Sequence, residues 1–289
     1  MRKVLLVIFL GIALGAAGQL SLRERAEAGD PEAMNYLGYS LISGVDSTTV
    51  DLAEGLKWLS RAAAAGSLKA ASNLGWLLID GSAVEQDLEK GVSWIRKAAE
   101  GGLPVAQSIL GDLYLEGKGL DKDSVAADSL YRQAFERGVR DAGYKLYEMN
   151  GKRYAALPAD QMVEEGLYFY LKGLPSEGVK LFYMAADKGN SRAMALLGDA
   201  YTRGMGVPYD YDLSLSYYTK AAQGGDPSAQ FVMGELLDIF PDALNKLDPE
   251  EFPDLPKEGA SYWYDKAAQA GITDADSAYR LLLGSPIRN

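Results

Sequence analysis

A repeat of 36 residues constrains this chain more than any other feature of its sequence. An alanine recurs at the same place in each copy, as in the segment WIRKAAEGG that begins at Trp94. The spacing is 36 residues at most steps, and two longer steps of 51 and 46 residues indicate insertions; the alanines are Ala26, Ala62, Ala98, Ala134, Ala185, Ala221 and Ala267. A period in this range is typical of stacked helix pairs that bury a shared core.

A glycine falls inside the first helix of most copies. These glycines are Gly38, Gly75, Gly111, Gly198 and Gly234. A glycine in a helix interior lowers stability by about 1 kcal/mol relative to alanine, so the pattern predicts a compensating contact. Close crossing of two helices would supply it, because a residue without a side chain lets the axes approach.

The residues between the helices predict where each helix ends and begins. The first helices are expected to end at glycines that can adopt a positive φ, namely Gly44, Gly81, Gly117 and Gly204. The second helices are expected to begin after aspartates that accept backbone hydrogen bonds, namely Asp51, Asp87, Asp123 and Asp210. A large residue four positions before each repeated alanine is predicted to pack between helices: Trp58, Trp94, Leu130, Leu181, Tyr217 and Trp263.

Together these positions resemble the Sel1-like repeat family, which is related to tetratricopeptide arrays. The resemblance extends from Ala26 to about Tyr279. It implies an all-α fold, a right-handed superhelical α-solenoid of antiparallel helix pairs with about six repeats plus terminal capping helices, which serves as an adaptor or scaffold. Some bacterial members carry a disulfide in each repeat, and this chain contains no cysteine.

The repeats divide the chain into segments. Regular repeats are predicted over 19–139 and 176–289, with a capping helix over 275–283. The segment 140–175 is irregular: together with the second helix that follows it up to Gly189, it predicts three helices where a repeat has two, with Asn150-Gly151 ending the first of them. Such a segment is either a hinge between two arrays or a lengthened connection without a role. The four prolines of 239–257 predict an extended, semi-rigid surface loop.

The first 18 residues have the order of a secretory signal peptide. Two basic residues precede an apolar run, and Ala16-Ala17-Gly18 forms a small-residue cleavage site. Cleavage after Gly18 would give a mature chain that begins at Gln19. We therefore expect a bacterial protein that is periplasmic or, alternatively, secreted, without stable membrane insertion after cleavage.

The charge balance limits the classes of partner. The chain has 29 basic and 40 acidic residues, a net charge of −11. Nucleic acids are disfavoured, because their binding depends on basic contacts to phosphates. The acidity is explained either by solubility or by the steering of basic partners.

The sequence offers little catalytic chemistry. It contains no histidine and no cysteine, which removes the commonest general base and the thiol nucleophile. Asp160, Glu164 and Glu165 could supply a carboxylate pair, although Asp160 has the position of a helix-start residue. We therefore predict a non-catalytic scaffold without cofactor or metal that binds an exported protein. The alternative is a cell-envelope, peptidoglycan-related enzyme or a direct regulator of one.

Helical spacing predicts which residues contact that partner. Positions three before, one after and four after the interior glycine lie on one stripe of the first helix, and the resemblance places this stripe on the concave face. The candidate residues are Tyr39, Ile42, Trp76, Ile79, Asp112, Asp199, Thr202, Phe231 and Glu235. Aromatic residues in such a position are favoured as interface anchors, but Tyr39 and Trp76 could instead pack on each other. The pattern identifies neither the partner nor the oligomeric state.

Overall fold

The structure of the chain, a computed structural model, describes residues 20–45, 49–253, 255 and 259–274. All regular secondary structure in these residues is helical, which confirms the predicted fold class. The chain divides into two compact units, 1–123 and 124–289. The predicted signal peptide (1–18) and capping helix (275–283) lie outside the described residues.

The described part of the N-terminal unit is a stack of six helices in which each packs on the next. A short helix with a capping box, formed by Ser21 and Glu24, begins the stack. The helices are α1 (Leu22–Glu27), α2 (Pro31–Ser43), α3 (Leu52–Ala64), α4 (Leu68–Asp80), α5 (Leu88–Glu100) and α6 (Pro104–Glu116).

The described part of the C-terminal unit also consists of helix pairs, with one helix, Arg140–Ala156, in addition to them. Its described helices are α7 (Ser124–Glu136), α8 (Arg140–Ala156), α9 (Ala159–Leu171), α10 (Pro175–Ala186), α11 (Ser191–Arg203), α12 (Tyr211–Gln223), α13 (Pro227–Ile239) and α14 (Ala260–Gln269). A shared apolar core runs through α9 to α14.

The repeated alanine closes the turn between successive repeats. All seven of these alanines are fully buried. From Ala62 onward, each carbonyl accepts a hydrogen bond of 2.9–3.1 Å from the amide five residues later, as Ala62 does from Ser67 and Ala221 does from Asp226. Full burial at the turn between repeats is consistent with a small apolar residue in every copy.

The predicted helix ends are present. Gly44, Gly81, Gly117 and Gly204 are left-handed, with φ between 64° and 72°, and each ends a first helix. Each of the predicted starts Asp51, Asp87 and Asp210 accepts a backbone N–H at 2.9–3.0 Å with its carboxylate.

The interior glycines are sites of close helix approach. A Cβ atom placed on Gly38 would lie 2.8 Å from the carbonyl oxygen of Gly55, and one on Gly75 would lie 2.8 Å from that of Gly91. These distances are too short for a carbon atom, so the crossings α2–α3 and α4–α5 require glycine. The sequence pattern identified the first partner of each crossing and missed the second, Gly55 and Gly91.

The additional helix corrects one detail of the predicted irregular segment. Three helices, α8, α9 and α10, lie between 140 and 186 as expected, but Asn150-Gly151 does not end the first of them. Helix α8 continues to Ala156, and the Asn150 side chain is held inside it, donating to the Leu146 carbonyl at 3.0 Å and to Asp128 Oδ1 at 2.6 Å. Nothing lies within 4 Å of a Cβ atom placed on Gly151, so this glycine has open space beside it.

The proline-rich segment is not the extended loop that its composition predicts. Residues Ala243–Lys246 form a 3-10 helix, and Ala243, Leu247 and Phe252 are 3–7% exposed in the same core as Trp263. Three apolar side chains therefore fold the segment onto the C-terminal unit, and burial of their surface outweighs the extended preference of the prolines.

Candidate partner-binding site

One column of the predicted stripe lies inside each unit instead of on its surface. The residue three positions before the interior glycine is buried in each of the five repeats that have this glycine: Asn35, Ser72, Ser108, Ala195 and Phe231. In the first repeat this position faces the next repeat, since Asn73 Nδ2 donates to Asn35 Oδ1 at 3.0 Å. Phe231 packs edge-on against Tyr264, with ring centroids 5.5 Å apart. Phe231, 7% exposed, is therefore a packing residue in this structure.

The column four after the glycine is divided between packing and surface positions. Ile79 is fully buried, and its Cγ1 would lie 2.6 Å from a Cβ atom placed on Gly91. Ile42 holds the same place over Gly55, also at 2.6 Å, and is half-buried. Both isoleucines fill the space beside a glycine of the second helix. Ile79 is too deeply buried to contact a partner, whereas Ile42 keeps some exposed surface. Thr202 is exposed but donates to the Gly198 carbonyl at 2.9 Å and pairs with Ser214 at 2.6 Å.

The column one after the glycine keeps accessible surface in both units. Tyr39, Trp76, Asp112 and Glu235 are each half-buried. Tyr39 and Trp76 do not form one of the ring pairs found among the described residues, which include those that Phe135 and Trp263 form with neighbouring rings of the C-terminal unit. In the N-terminal unit this column presents two aromatic side chains in consecutive repeats.

Asp199 is the exception in that column. It is 5% exposed, accepts from Arg203 Nε at 2.6 Å and lies 3.5 Å from the Tyr170 hydroxyl. Burial raises the pKa of its carboxyl, and the hydrogen bond from Arg203 opposes that rise. The side chain is committed to internal partners, so Asp199 is a structural residue here and the C-terminal half of the stripe is less acidic at its surface than predicted.

The carboxylates considered for catalysis are each bound to another helix. Asp160 accepts from Asn190 Nδ2 at 2.7 Å, Glu164 from Arg192 Nη1 at 2.6 Å, and Glu165 lies between two arginines. Within the described residues no cluster of three or more carboxylates could hold a metal ion. The described helices are also too short or too polar for any of them to cross a bilayer.

Helix pairs that stack on their neighbours, with a glycine at the crossings α2–α3, α4–α5, α9–α10, α11–α12 and α13–α14, define a helical-repeat protein. Comparison with known families agrees: the Sel1 repeat matches residues 31–67, 68–103, 104–139, 159–190, 191–226 and 253–272, more than half of the chain. The chain therefore belongs to the Sel1 repeat family. Helix α8 lies between the third and fourth matches, which identifies it as an insertion between repeats.

Similar proteins come from bacteria and yeast. A Sel1 repeat protein from Oxalobacter formigenes is 29% identical, with 84% of this chain and 89% of that chain covered and a TM-score of 0.41. The protective antigen c5321 of uropathogenic Escherichia coli is 28% identical, with 90% and 57% covered and a TM-score of 0.41. Chitin synthase regulatory factor 4 of Schizosaccharomyces pombe is 33% identical over 105 residues, which span 35% of this chain and 14% of that protein.

Proposed function

We propose that this protein is a non-catalytic scaffold or adaptor of the bacterial periplasm that binds a protein partner through its first helices. Proteins of the Sel1 repeat family are generally protein-interaction scaffolds. The observation that carries the proposal is the half-exposed aromatic pair Tyr39 and Trp76, placed at equivalent positions of consecutive repeats. Partly exposed tyrosine and tryptophan provide large contact area at low entropic cost.

The neighbouring side chains indicate the chemistry of the partner. Asp112 follows Tyr39 and Trp76 in the same column, and Leu115 is 39% exposed on the same helix as Asp112. An apolar segment with a basic residue at one end would complement this surface, because charge complementarity sets register and association rate. The net charge of −11 also favours a basic partner.

A crosslinking experiment tests the proposed surface. A photo-reactive amino acid at Trp76 in the full chain should capture a partner in cells, whereas the same residue at Tyr209, which is 66% exposed outside this column, should not. With the captured protein purified, Trp76→Ala should weaken binding about 30-fold or more, the effect of removing an interface anchor of about 2 kcal/mol. Tyr39→Ala should act in the same direction.

The outcome against the proposal is equally defined. If Trp76→Ala and Tyr39→Ala bind normally and melt several degrees lower than the wild type, the two rings belong to the core. Tyr209→Ala serves as the control for loss of an exposed tyrosine and should change neither property.

The proposed location is tested separately. Expression of the full chain in a bacterium should give a periplasmic protein whose first residue is Gln19. Recovery of membrane-bound protein that retains Met1 would contradict export with cleavage and favour a signal anchor.

A second candidate function is direct regulation of an envelope enzyme. It is favoured by one finding, the similarity of 105 residues to a protein named as a regulatory factor of chitin synthase. Such a regulator should change the turnover of a purified partner enzyme, whereas a passive scaffold binds without that effect. If the chain itself turned over a wall fragment and lost that activity in Glu164→Gln, the non-catalytic proposal would be wrong.

A further inference from the structure

A cleft of about 330 Å³ in the C-terminal unit joins α7, α8 and α9. Its lining includes Arg132 of α7, Arg153 of α8, Leu157 between α8 and α9, and Gln161, Glu165 and Tyr168 of α9. Because α8 is the insertion between repeats, Arg153 and Leu157 of this lining come from outside the repeat pattern.

Both arginines are held in place by aromatic rings. The Arg132 guanidinium lies 4.8 Å from the centroid of the Tyr168 ring, and that of Arg153 lies 4.9 Å from the centroid of the Tyr154 ring. Stacking uses the flat face of a guanidinium and leaves the N–H groups on its edge for oxygen acceptors. Arg153 is further fixed by Nε, which donates to Asn150 Oδ1 at 2.9 Å.

The two arginines share one carboxylate at long range. Nη2 of Arg132 and Nη2 of Arg153 each lie 3.5 Å from an oxygen of Glu165. Charge-assisted hydrogen bonds of this kind are commonly about 2.7–2.9 Å long. Within the described residues the Nη1 groups of Arg132 and Arg153 donate no hydrogen bond. The cleft thus holds guanidinium donors that Glu165 does not saturate.

A phenol hydroxyl adds a further donor. Tyr168 lines the cleft, and its buried Oη has no hydrogen-bond acceptor among the described residues, although the Arg132 guanidinium lies close enough to oppose the rise of its pKa. Burial raises the pKa of Tyr168 to about 12, so the hydroxyl keeps its proton at neutral pH and can donate. A buried donor without an acceptor is unfavourable, and an oxygen atom in the cleft would relieve it.

We propose that this cleft binds a carboxylate that carries a single negative charge and an apolar attachment. The positive charges of Arg132 and Arg153 are balanced by Glu165 and by Asp128, which lies 3.8 Å from Arg132 Nε. Glu164, the other acid of the lining, is balanced by Arg192, whose Nη1 lies 2.6 Å from its carboxylate. This neutral cluster accepts one additional negative charge, whereas the two charges of a phosphate would be repelled by Glu165. The ring of Tyr168 and the side chain of Leu157 provide contact for the carbon atoms of the ligand. The site is separate from the first-helix column and does not depend on the scaffold proposal.

Glu165 occupies the position of the ligand's carboxylate and competes with it. Glu165→Gln removes that negative charge and should tighten binding about three- to tenfold. Arg153→Gln should weaken binding about tenfold, since a hydrogen bond to a charged group contributes about 1.5–3 kcal/mol and 1.4 kcal/mol is a factor of ten. If the arginines served only to hold Glu165, both substitutions would lower stability and neither would tighten binding.

Titrations of the full chain, followed by NMR of the arginine Nε–H groups, test the proposal. N-acetyl-leucine represents a peptide C-terminus, N-acetylglutamic acid α-methylamide represents an acidic side chain, and N-acetyl-leucinamide is the uncharged control. We expect at least one of the two acids to shift the Arg132 and Arg153 signals in a saturable way, and the tighter of the two identifies the source of the carboxylate. Arg96→Gln, which changes an exposed arginine of the other unit, controls for loss of a surface charge.

Four results would overturn the proposal. They are no saturable shift with either acid, equal binding of the uncharged amide, tighter binding of inorganic phosphate than of the acids, and weaker acid binding by a folded Glu165→Gln protein. If Arg153→Gln fails to fold, Arg132→Gln and the comparison of acid with amide on the wild type still decide the question.

Discussion

The interior glycines of the N-terminal unit and those of the C-terminal unit occupy equivalent repeat positions but face different atoms. Gly38 and Gly75 face backbone carbonyl oxygens together with Leu59 and Ile95, whereas Gly198 and Gly234 face the rings of Tyr218 and Tyr264. A carbonyl in a helix cannot move independently, but a ring on the end of a side chain can turn. One sequence position therefore tolerates substitution differently in the two units.

Helix pair α9–α10 combines both arrangements. A Cβ atom on Gly166 would lie 2.6 Å from Phe182 and 3.1 Å from the Gly178 carbonyl oxygen. Leu59, Ile95, Phe182, Tyr218 and Tyr264 thus occupy one structural position, which is aliphatic in the N-terminal unit and aromatic in the described helices of the C-terminal unit.

Removal of these large residues should give the largest effects. Phe182 is fully buried, so Phe182→Ala should lower the free energy of unfolding by about 3–5 kcal/mol, and Leu59→Ala by about 2–5 kcal/mol. Urea unfolding followed by circular dichroism measures both. Phe182→Leu should recover most of the loss; a loss below 1 kcal/mol for Phe182→Ala would show that the ring does not support its crossing.

Two aspartates that cap first helices, one in each unit, have carboxyl pKa values shifted in opposite directions. Asp30 pairs with Arg25, whose hydrogen bond lowers the pKa of the Asp30 carboxyl. Asp226 accepts from the Ala229 amide at 2.8 Å, but burial raises the pKa of its carboxyl to about 6. The folded chain therefore holds a proton on Asp226 more tightly than the unfolded chain does.

Asp226→Asn should accordingly stabilise the protein at neutral pH. The raised pKa favours folding fully below about pH 4, and this contribution is lost as the pH rises through 6. Asparagine keeps the cap without a charge, so the gain should be about 1–3 kcal/mol at pH 8 and should vanish near pH 4. Thermal melting across that range measures it.

Asp30→Asn is the matched comparison, with the opposite sign. Its lowered pKa favours folding above about pH 4, so the variant should be slightly less stable at pH 7, with the difference shrinking as the pH falls below 4. A gain at pH 8 for both variants would point to general charge repulsion in place of burial of Asp226.

Alanine at the crossing glycines tests the contrast between backbone and ring directly. Gly75→Ala should lower the free energy of unfolding by about 1–2 kcal/mol, because overpacking against the Gly91 carbonyl outweighs the gain in helix propensity. Gly234→Ala should lower it by a smaller amount, because the nearest atoms belong to the half-buried Tyr264 ring, which can shift at the expense of its contact with Phe231 and its hydrogen bond to Asp238. Equal losses at both positions, measured by urea unfolding, would contradict the distinction.

Gly151→Ala should give the smallest effect and the opposite sign. This glycine lies inside α8 with open space beside it, so alanine should raise the free energy of unfolding by about 0.5–1 kcal/mol. The variant is also the control for the crossing glycines. A loss of stability there would show that α8 is not helical through Asn150-Gly151.

Local patterns predicted most of the fold. The alanine period, the left-handed glycines and the helix-start aspartates act within a few residues of themselves. The repeated alanines and the four glycines are found as predicted, and the cap bond is present at Asp51, Asp87 and Asp210. The proline-rich segment was mispredicted because its conformation depends on where Ala243, Leu247 and Phe252 can be buried. Gly55 and Gly91 were missed, although a glycine three or four residues before the large residue of the second helix is a visible signal.

The candidate site was predictable only in part. A stripe of 3.6-residue spacing assumes that a helix is covered on one side, whereas α2 and α13 pack on neighbours from more than one direction. Asn35 and Phe231 are buried for that reason, while Tyr39 and Trp76 remain half-exposed. Arg132 and Arg153 carry no repeat motif and come from different helices, so only the tertiary structure brings them together around Glu165.

The turns that join the repeats have a consequence for how such a chain grows. In several of them one residue both closes the preceding repeat and begins the next helix: Ser67 donates to the Ala62 carbonyl and accepts from the Ala70 amide, and Asp226 does the same with Ala221 and Ala229. The joints at Ser67, Asn190 and Asp226 are therefore chemically alike and complete within a few residues. Duplication of 36 consecutive codons, wherever in the repeat it starts, adds one helix pair with a joint at both ends. Arrays of this kind can therefore lengthen by duplication alone.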